Sequence, residues 1–308
     1  MTGQRILLTG WFSFLDGEAT AGDVLALRRV EQALDRAGLP YDTVWSPGFH
    51  PEALHFADVR PDAYSHLVFV CGPLAGSQVA WLHEEFRACR RIAVGVSVVD
   101  PEDPAATGFH LVLPRDAPGA VPALDLSASA PIGRPTPVVG VILTHGQQEY
   151  GPRRRHAEVA EAVTRWLSGK DCAPVELETR LDTRDWRLDS TPEQFQSVLA
   201  RLDCVVTDRL HGLVLALRTG IPVLAVDPVA GGAKLTAQAR ACDWPALVPA
   251  ERLDARQLDR WWDWCLTSGR AAARQSRDEL LHGPSRSSLQ GLVDALAARP
   301  LRSGRSSR

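Results

Sequence analysis

Residues 204–228, "CVVTDRLHGLVLALRTGIPVLAVDP", are apolar almost throughout and gather their polar groups at one junction, Thr207 to His211. "CVVTD" and "IPVLAVD" have the length and composition of buried strands. Between them Leu213, Val214, Leu215 and Leu217 are apolar on nearly every side, as in a helix pressed against a sheet, and Gly220 followed by Pro222 stops that helix. Strand, helix and strand in so few residues form a crossover unit of a parallel sheet. The helix is expected to start at Arg209 or Leu210, with Thr207 and Asp208 as caps.

The same alternation extends in both directions. In the first half "RILLTG", "YDTVW", "HLVFVCG" and "RIAVGVSVV" read as strands, separated by the helical patterns "AGDVLALRRVEQALDRAG" and "QVAWLHEEFRACR". Residues 100–137 then collect Pro, Ala, Gly and Ser, and read as an interdomain connection. A second alternation runs through "VVGVILTHG", the helix "PRRRHAEVAEAVTRWLSG", the strand "APVELET" and a helix opened by Thr191, Pro192 and Gln194 as a capping box. After residue 250 the pattern is helical, and Trp261, Trp262 and Trp264 are expected to pack the C-terminal helix onto the domains. The fold class is therefore α/β: two Rossmann-like domains facing a cleft, with a C-terminal helical extension. The expected boundaries are 1–135 for the first domain with its linker, 136–250 for the second, 251–298 for the helices and 299–308 for a flexible tail.

Bulk properties agree with this organisation. A chain of 308 residues suits two domains, and 45% hydrophobic with 23% charged residues is a soluble composition. No run approaches the roughly 20 apolar residues of a membrane span. A net charge of -3 excludes the electrostatic footprint of a nucleic-acid binder. The start of the chain, "ILLTGWFSFL" followed by "ATA", imitates a secretory signal, but Thr, Gly and Ser break the run and Asp16 and Glu18 precede the cleavage-like site. It reads instead as a first buried strand. Six cysteines are scattered with no C-x-x-C pair, which predicts reduced thiols, a cytoplasmic location and no metal site. The sequence carries no signal for oligomeric state.

The junction at Arg209 and His211 is the candidate site. A helix N-terminus presents unpaired N–H groups and the positive end of the macrodipole, and at the carboxyl end of a strand it faces the region where open α/β sheets bind ligands. Gly212 in the first turn is expected to permit close backbone approach to a ligand. Residues two apart on a helix point in nearly opposite directions, so Arg209 belongs in the turn and His211 in the helix if both meet one ligand. The alternative is structural: Arg209 pairs with an acid such as Asp208, Asp227 or Asp243, and His211 satisfies a backbone carbonyl. An Arg and a His together at a strand-to-helix turn favour the ligand reading. His145, at the end of "VILTHG", and Arg153 to Arg155, opening the next helix, are further anion ligands by position, with a solvated basic turn as the alternative for the arginines. Lys234 is one of two lysines in the chain and follows "AGG", placing it either in the site or on the surface. In the first domain Trp11, Phe12 and Phe14 offer either sugar stacking or core packing, and Asp16 or Asp23 could meet hydroxyls.

"VVTDRLHGLVLALRTGIPVLAVD" resembles the hallmark segment of the polysaccharide pyruvyl transferases, a strand leading into Arg-Leu-His, a small residue, an apolar helix and Gly-x-Pro before another strand. Gly22 and Asp23 in "GEATAGDVLALRRVEQAL" resemble the family's Gly-Asp turn. The family's glycosyltransferase-B-like fold agrees in order and length. The resemblance implies transfer of a pyruvyl group from phosphoenolpyruvate to a sugar diol, forming a pyruvate ketal and phosphate, with no cofactor. It implies Arg209 as a bidentate ligand of the donor's phosphate or carboxylate and His211 as the acid/base, with Leu210, Gly212, His145, Arg153, Lys234, Gly22 and Asp23 lining the substrate sites. Cys71 and Pro73 stand where the family has glycines, and the segment "VDPVAGGAK" has Val226 in place of a tyrosine and Lys234 displaced. Two other readings stand beside this one: a nucleotide-sugar glycosyltransferase on the same fold, and a non-catalytic or repurposed relative acting on a small natural product.

Overall fold

Apolar runs too short for helices form two parallel sheets, one in each of two compact units, Met1–Arg134 and Pro135–Arg308. The computed structural model describes residues 4–144, 148–283 and 289–297. The first unit comprises β1 (Ile6–Thr9), α1 (Ala21–Ala37), β2 (Tyr41–Thr43), β3 (His66–Val70), α2 (Ser77–Glu85), β4 (Arg90–Ser97), α3 (Pro104–Thr107) and β5 (Leu111–Asp116), with strand order β2-β1-β3-β4-β5. β1 is buried at all four positions, as a strand covered on both faces must be. α1 starts at a Thr20–Asp23 capping box and stops at Gly38, whose φ of 66° a β-carbon would strain.

The stretch read as a connection, residues 100–137, contains β5, the edge of the first sheet. β5 pairs with β4 alone, with Pro114 in register opposite Val96. An edge strand needs neither a continuous apolar run nor every N–H, so a proline and a polar composition do not prevent it. Arg115 then bridges Asp116 and Asp125, both at 2.7 Å, and draws the following segment back onto the strand.

The second unit comprises β6 (Val138–Ile142), α4 (His156–Leu167), β7 (Ala173–Glu176), α5 (Pro192–Leu199), β8 (Cys204–Thr207), α6 (Leu210–Thr219), β9 (Val223–Asp227), α7 (Lys234–Ala241) and β10 (Leu247–Pro249), followed by α8 (Ala255–Leu266), α9 (Gly269–His282) and α10 (Leu289–Ala297). Its order is β10-β9-β8-β6-β7, and all pairings are parallel. α5 begins with the Thr191–Gln194 capping box that its sequence predicts. α6 buries Leu213, Ala216 and Leu217 completely, each leucine stabilising the fold by about 1.5–3 kcal/mol relative to exposure. α8 presents Leu258, Trp262 and Cys265 at helical spacing to this same core, and Trp262 meets Trp166 with ring centroids 5.5 Å apart. α8 and α9 are thus layers of the second unit. Residues 299–308 lie outside the described residues. No described helix is long and apolar enough to cross a membrane.

Numbered from its own first strand, each sheet has the order 2-1-3-4-5. The direction of winding reverses between the first and third strands, β1 and β3 in one unit and β6 and β8 in the other. Open α/β sheets hold ligands outside the carboxyl ends of the strands at such a reversal.

Candidate functional site

The β6/β8 reversal is polar. Thr207, the last residue of β8, donates its hydroxyl to the Ile142 carbonyl at 2.8 Å and accepts from the Arg209 N–H at 3.0 Å. Asp208 accepts from the Thr144 N–H, beyond β6, through Oδ1 at 2.8 Å. The two strand ends are therefore tied by side chains as well as by the Asp208 N–H on the Ile142 carbonyl at 3.3 Å. Neither Thr207 nor Asp208 caps α6. The N-cap is Arg209, in extended backbone with no side-chain cap, because the residues expected to cap are spent on β6.

Arg209 lies in the turn, as the N-cap, and His211 in the first turn of the helix. Arg209 is partly buried, and its guanidinium meets the carboxylate of Glu178 in the segment after β7. Burial pulls its pKa below the ordinary arginine value, the direction expected of a cation taken from water. The acids expected as structural partners, Asp208, Asp227 and Asp243, are not the residue that pairs with it. His211 is exposed on the first turn and has no hydrogen-bond partner among the described residues. Leu210 between them is half-buried. Gly212 has a packing reason: a β-carbon there would lie 2.3 Å from Thr207 Oγ1, so the glycine lets α6 seat against β8. That corrects the expectation that it clears space for a ligand.

Two further buried groups lie at the same sheet end. Asp227, at the end of β9, is fully buried and accepts from the N–H groups of Val229, Ala233 and Thr236 at 2.9–3.0 Å and from the Thr236 hydroxyl at 2.5 Å. His156, the first residue of α4, is also buried. Burial holds its pKa below the usual imidazole value, assisted by the Arg154 and Lys234 cations and opposed by Asp227 and Glu149.

Arg155 is the N-cap of α4, which starts at His156, and Arg153 and Arg154 precede it. They form a short exposed ribbon against residues 228–230: Arg155 N–H donates to the Pro228 carbonyl at 2.8 Å, and the Arg153 carbonyl accepts from Ala230 N–H at 2.8 Å. Lys234 begins α7, 3.9 Å from Glu149 and over the Tyr150 ring at 5.7 Å. The loops carrying Arg153 and Lys234 are thereby joined. His145 lies outside the described residues. In the first unit Asp23 is spent on the α1 capping box, where its carboxylate accepts from the Thr20 hydroxyl at 2.7 Å, and Gly22 adjoins it with only Thr20 Oγ1 near a hypothetical β-carbon. Phe12 and Phe14 are buried in core, which settles them against sugar stacking.

The departures from the family pattern have physical readings. Cys71 takes a φ of 64°, so it holds the left-handed turn that a glycine would hold, at a strain cost. Val226 is fully buried within β9, where a larger phenol would have to displace core. Among the described residues no group of three His, Cys, Asp or Glu side chains converges as a metal site requires. A surface hollow of about 510 Å³, lined by Glu193, Ser197, Arg201 and Arg218 among others, lies at the far end of α6 and contains none of the strand-end groups.

Sequence reasoning missed Glu178, Thr144 and His156. The chemistry available is a guanidinium and an exposed imidazole at a helix N-terminus, beside a buried carboxyl, above a sheet reversal. No curated protein matches the sequence. In structure the chain is similar to the spinosyn rhamnosyltransferase SpnG complexed with thymidine diphosphate (14% identity, 94% of this chain and 100% of that one, TM-score 0.34) and to the calicheamicin glycosyltransferase CalG4 (15%, 96% and 98%, TM-score 0.34). It is similar also to the Methanocaldococcus jannaschii UDP-GlcNAc 2-epimerase (8%, 91% and 100%, TM-score 0.32). The family model of the polysaccharide pyruvyl transferases matches residues 169–228, the segment that contains Glu178, Asp208, Arg209 and His211.

Proposed function

We propose that the protein is a cytoplasmic pyruvyl transferase that moves the pyruvyl group of phosphoenolpyruvate onto two hydroxyls of a saccharide acceptor, releasing phosphate. The observation that carries this reading is the placement of Arg209, Leu210 and His211 at the N-terminus of α6, at the sheet reversal, inside the segment that the family model matches. Phosphoenolpyruvate presents a phosphate and a carboxylate on neighbouring atoms. The Arg209 fork fits either group in bidentate fashion, and the α6 N–H groups supply further donors. A proton delivered to the methylene carbon generates oxocarbenium character at the carbon bearing the phosphate, which the acceptor hydroxyls attack. His211, exposed beside Arg209, is the group to carry that proton and to take one from the acceptor. Arg153 and Lys234 supply additional positive charge from the joined loops.

The test is phosphate release from phosphoenolpyruvate against a panel of saccharides with free diols. Consumption of both substrates with formation of a ketal is the expected result. Turnover of UDP- or TDP-sugars with no consumption of phosphoenolpyruvate would overturn the reading in favour of a glycosyltransferase. Arg209→Lys keeps the charge and loses the fork, and is expected to weaken donor binding by about 1–3 kcal/mol with the thermal midpoint unchanged.

A further inference from the structure

α10 carries its apolar side chains on the outside of the fold. Leu289, Leu292, Val293 and Leu296 recur at i, i+3, i+4 and i+7 and so form one stripe along the helix, and each is more than half exposed. The opposite face is polar, where the Gln290 side-chain amide donates to Asp294 Oδ1 at 2.8 Å. α8, built on a similar spacing, buries Leu258, Trp262 and Cys265 in the core of the second unit. A stripe of this kind left in water costs free energy and marks a surface that something covers. The residues that follow supply a second signal. Residues 298–308, "ARPLRSGRSSR", hold Arg299, Arg302, Arg305 and Arg308 and no acid, whereas the chain as a whole carries a net charge of -3. Positive charge is thus segregated directly after the exposed stripe.

We propose that α10 and the arginines after it dock the protein on an anionic lipid bilayer, the stripe from Leu289 to Leu296 lying among the headgroups and the guanidiniums pairing with lipid phosphates and carboxylates. This docking does not depend on which reaction the second unit performs. Length decides against two other occupants. The helix has nine residues, about 13 Å at its ordinary rise, against the roughly 20 residues of a membrane span and the three or four heptads of a coiled-coil seam between two copies. A helix lying in the plane of the interface has no such requirement. Nucleic acid would engage the arginines but offers the stripe no apolar phase. Neither signal holds a protein alone: so small an apolar stripe binds marginally and reversibly, and each arginine near an anionic surface adds about fivefold to partitioning, so stable docking takes both. With the stripe against the bilayer, Asp294 faces water and its charge is kept from the headgroups. The cytoplasmic leaflet, rich in anionic lipid, is a surface of this chemistry.

The experiment is co-sedimentation of the full chain with vesicles of phosphatidylcholine alone and of equal parts phosphatidylcholine and phosphatidylserine, at low and high salt. Wild type is expected to pellet with the mixed vesicles, about tenfold or more in preference to the neutral ones, and the preference should shrink as salt screens the headgroups. Leu292→Gln with Leu296→Gln removes half of the stripe, and Arg302→Gln with Arg305→Gln removes half of the charge. Each pair is expected to weaken binding to mixed vesicles by about tenfold or more. The leucine pair should leave the thermal midpoint where it is, because both side chains are exposed. Wild type that stays in the supernatant with both vesicles would overturn the proposal. Unchanged binding in the leucine pair would overturn it too, since the arginines alone would then be acting and duplex DNA would serve as well. A dimer of wild type that the leucine pair abolishes, with no vesicle binding, would give the stripe to a second copy of the chain and equally overturn it. Turnover of phosphoenolpyruvate without vesicles decides the transfer reaction separately, so either reading can fail while the other stands.

Discussion

At the carboxyl ends of β1 and β3, Trp11 spans the reversal by donating its indole N–H to the Pro73 carbonyl at 3.0 Å, while Phe12 fills the space beneath. At the corresponding ends of β6 and β8 the span is made by a carboxyl, Asp208 receiving the Thr144 N–H at 2.8 Å. Both sheets have the same order and the same need to tie two strand ends where the ladder stops. The first meets it with rings packed so closely that a β-carbon on Gly10 would lie 2.5 Å from Phe12 and one on Gly72 would lie 2.2 Å from Trp11. The second meets it with polar groups, Thr207 and Asp208, beside the Arg209–Glu178 pair and the exposed His211. Topology places a crevice in both units, and side chains decide which of the two is filled. Even the thiol of the first crevice is quiet: burial, then Asp23, pushes the Cys71 pKa up to about 11.

The largest expected effect comes from His211→Gln, which retains hydrogen bonding but shuttles no proton. Turnover in the phosphate-release assay is expected to fall by roughly 10²–10⁴-fold with donor affinity nearly unchanged. Because His211 is exposed, the fold should not register the change. Near-normal turnover with weakened donor binding would make the imidazole a ligand and move the proton chemistry elsewhere in the second unit.

A polar crevice should also cost stability in a pH-dependent way that the aromatic one does not. The Asp208 pKa is raised from 3.8 to about 7 in the folded chain. A carboxyl raised in this sense gives its full stability below the unfolded value and loses it as pH climbs from about 4 through 7, because ionisation then favours the unfolded chain. Chemical denaturation of wild type and Asp208→Asn across that window should show wild type losing on the order of 4 kcal/mol relative to the variant, at about 1.4 kcal/mol per pKa unit. Parallel curves would show that the second crevice hydrates its carboxyl.

Two glycines separate packing from function. Gly72→Ala places a methyl against Trp11 at a φ of 74° and is expected to lower stability by about 1–3 kcal/mol while leaving donor affinity intact. Gly212→Ala places one against Thr207 and must shift the start of α6, so both stability and donor affinity should fall. Thermal melts paired with donor titrations read both quantities. Equal loss of donor binding in the two variants would erase the distinction between the crevices.

The strand-helix alternation was legible because a strand buried on both faces needs a continuous apolar run, as β8 and β9 show, and because a capping box such as Thr191–Gln194 is a local pattern. β5 was hidden because an edge strand carrying Pro114 resembles a linker in composition. The Arg209–His211 pair was legible from adjacency at a strand-helix junction. Its partner Glu178 was not: of the acids the sequence offers as partners, Asp208 is spent on the Thr144 N–H and Asp227 on its own cradle of N–H groups, and only the path of the chain after β7 delivers Glu178. Gly212 was visible as a glycine, but the Thr207 contact that requires it depends on how the helix folds back over its own strand.

Glu178 offers the smallest effect and the finest discrimination. Its carboxylate occupies the Arg209 guanidinium, so on the proposed donor role of Arg209 it competes with the anion. The pair is partly exposed, with side-chain exposures of 24% and 36%, and such pairs contribute about 0.2–1 kcal/mol. Glu178→Gln removes the competing charge and retains a hydrogen-bonding group. Donor affinity is expected to rise by a few-fold at low salt, the gain shrinking as salt screens the pair, and stability should change by no more than the same amount. Titration of phosphoenolpyruvate at two salt concentrations measures both. A fall in affinity would mean that Glu178 aims the guanidinium at the donor and that the polar crevice is preorganised by an acid as well as by its cations. A rise would mean that the crevice waits with its cation neutralised and exchanges one carboxylate for another when the donor arrives.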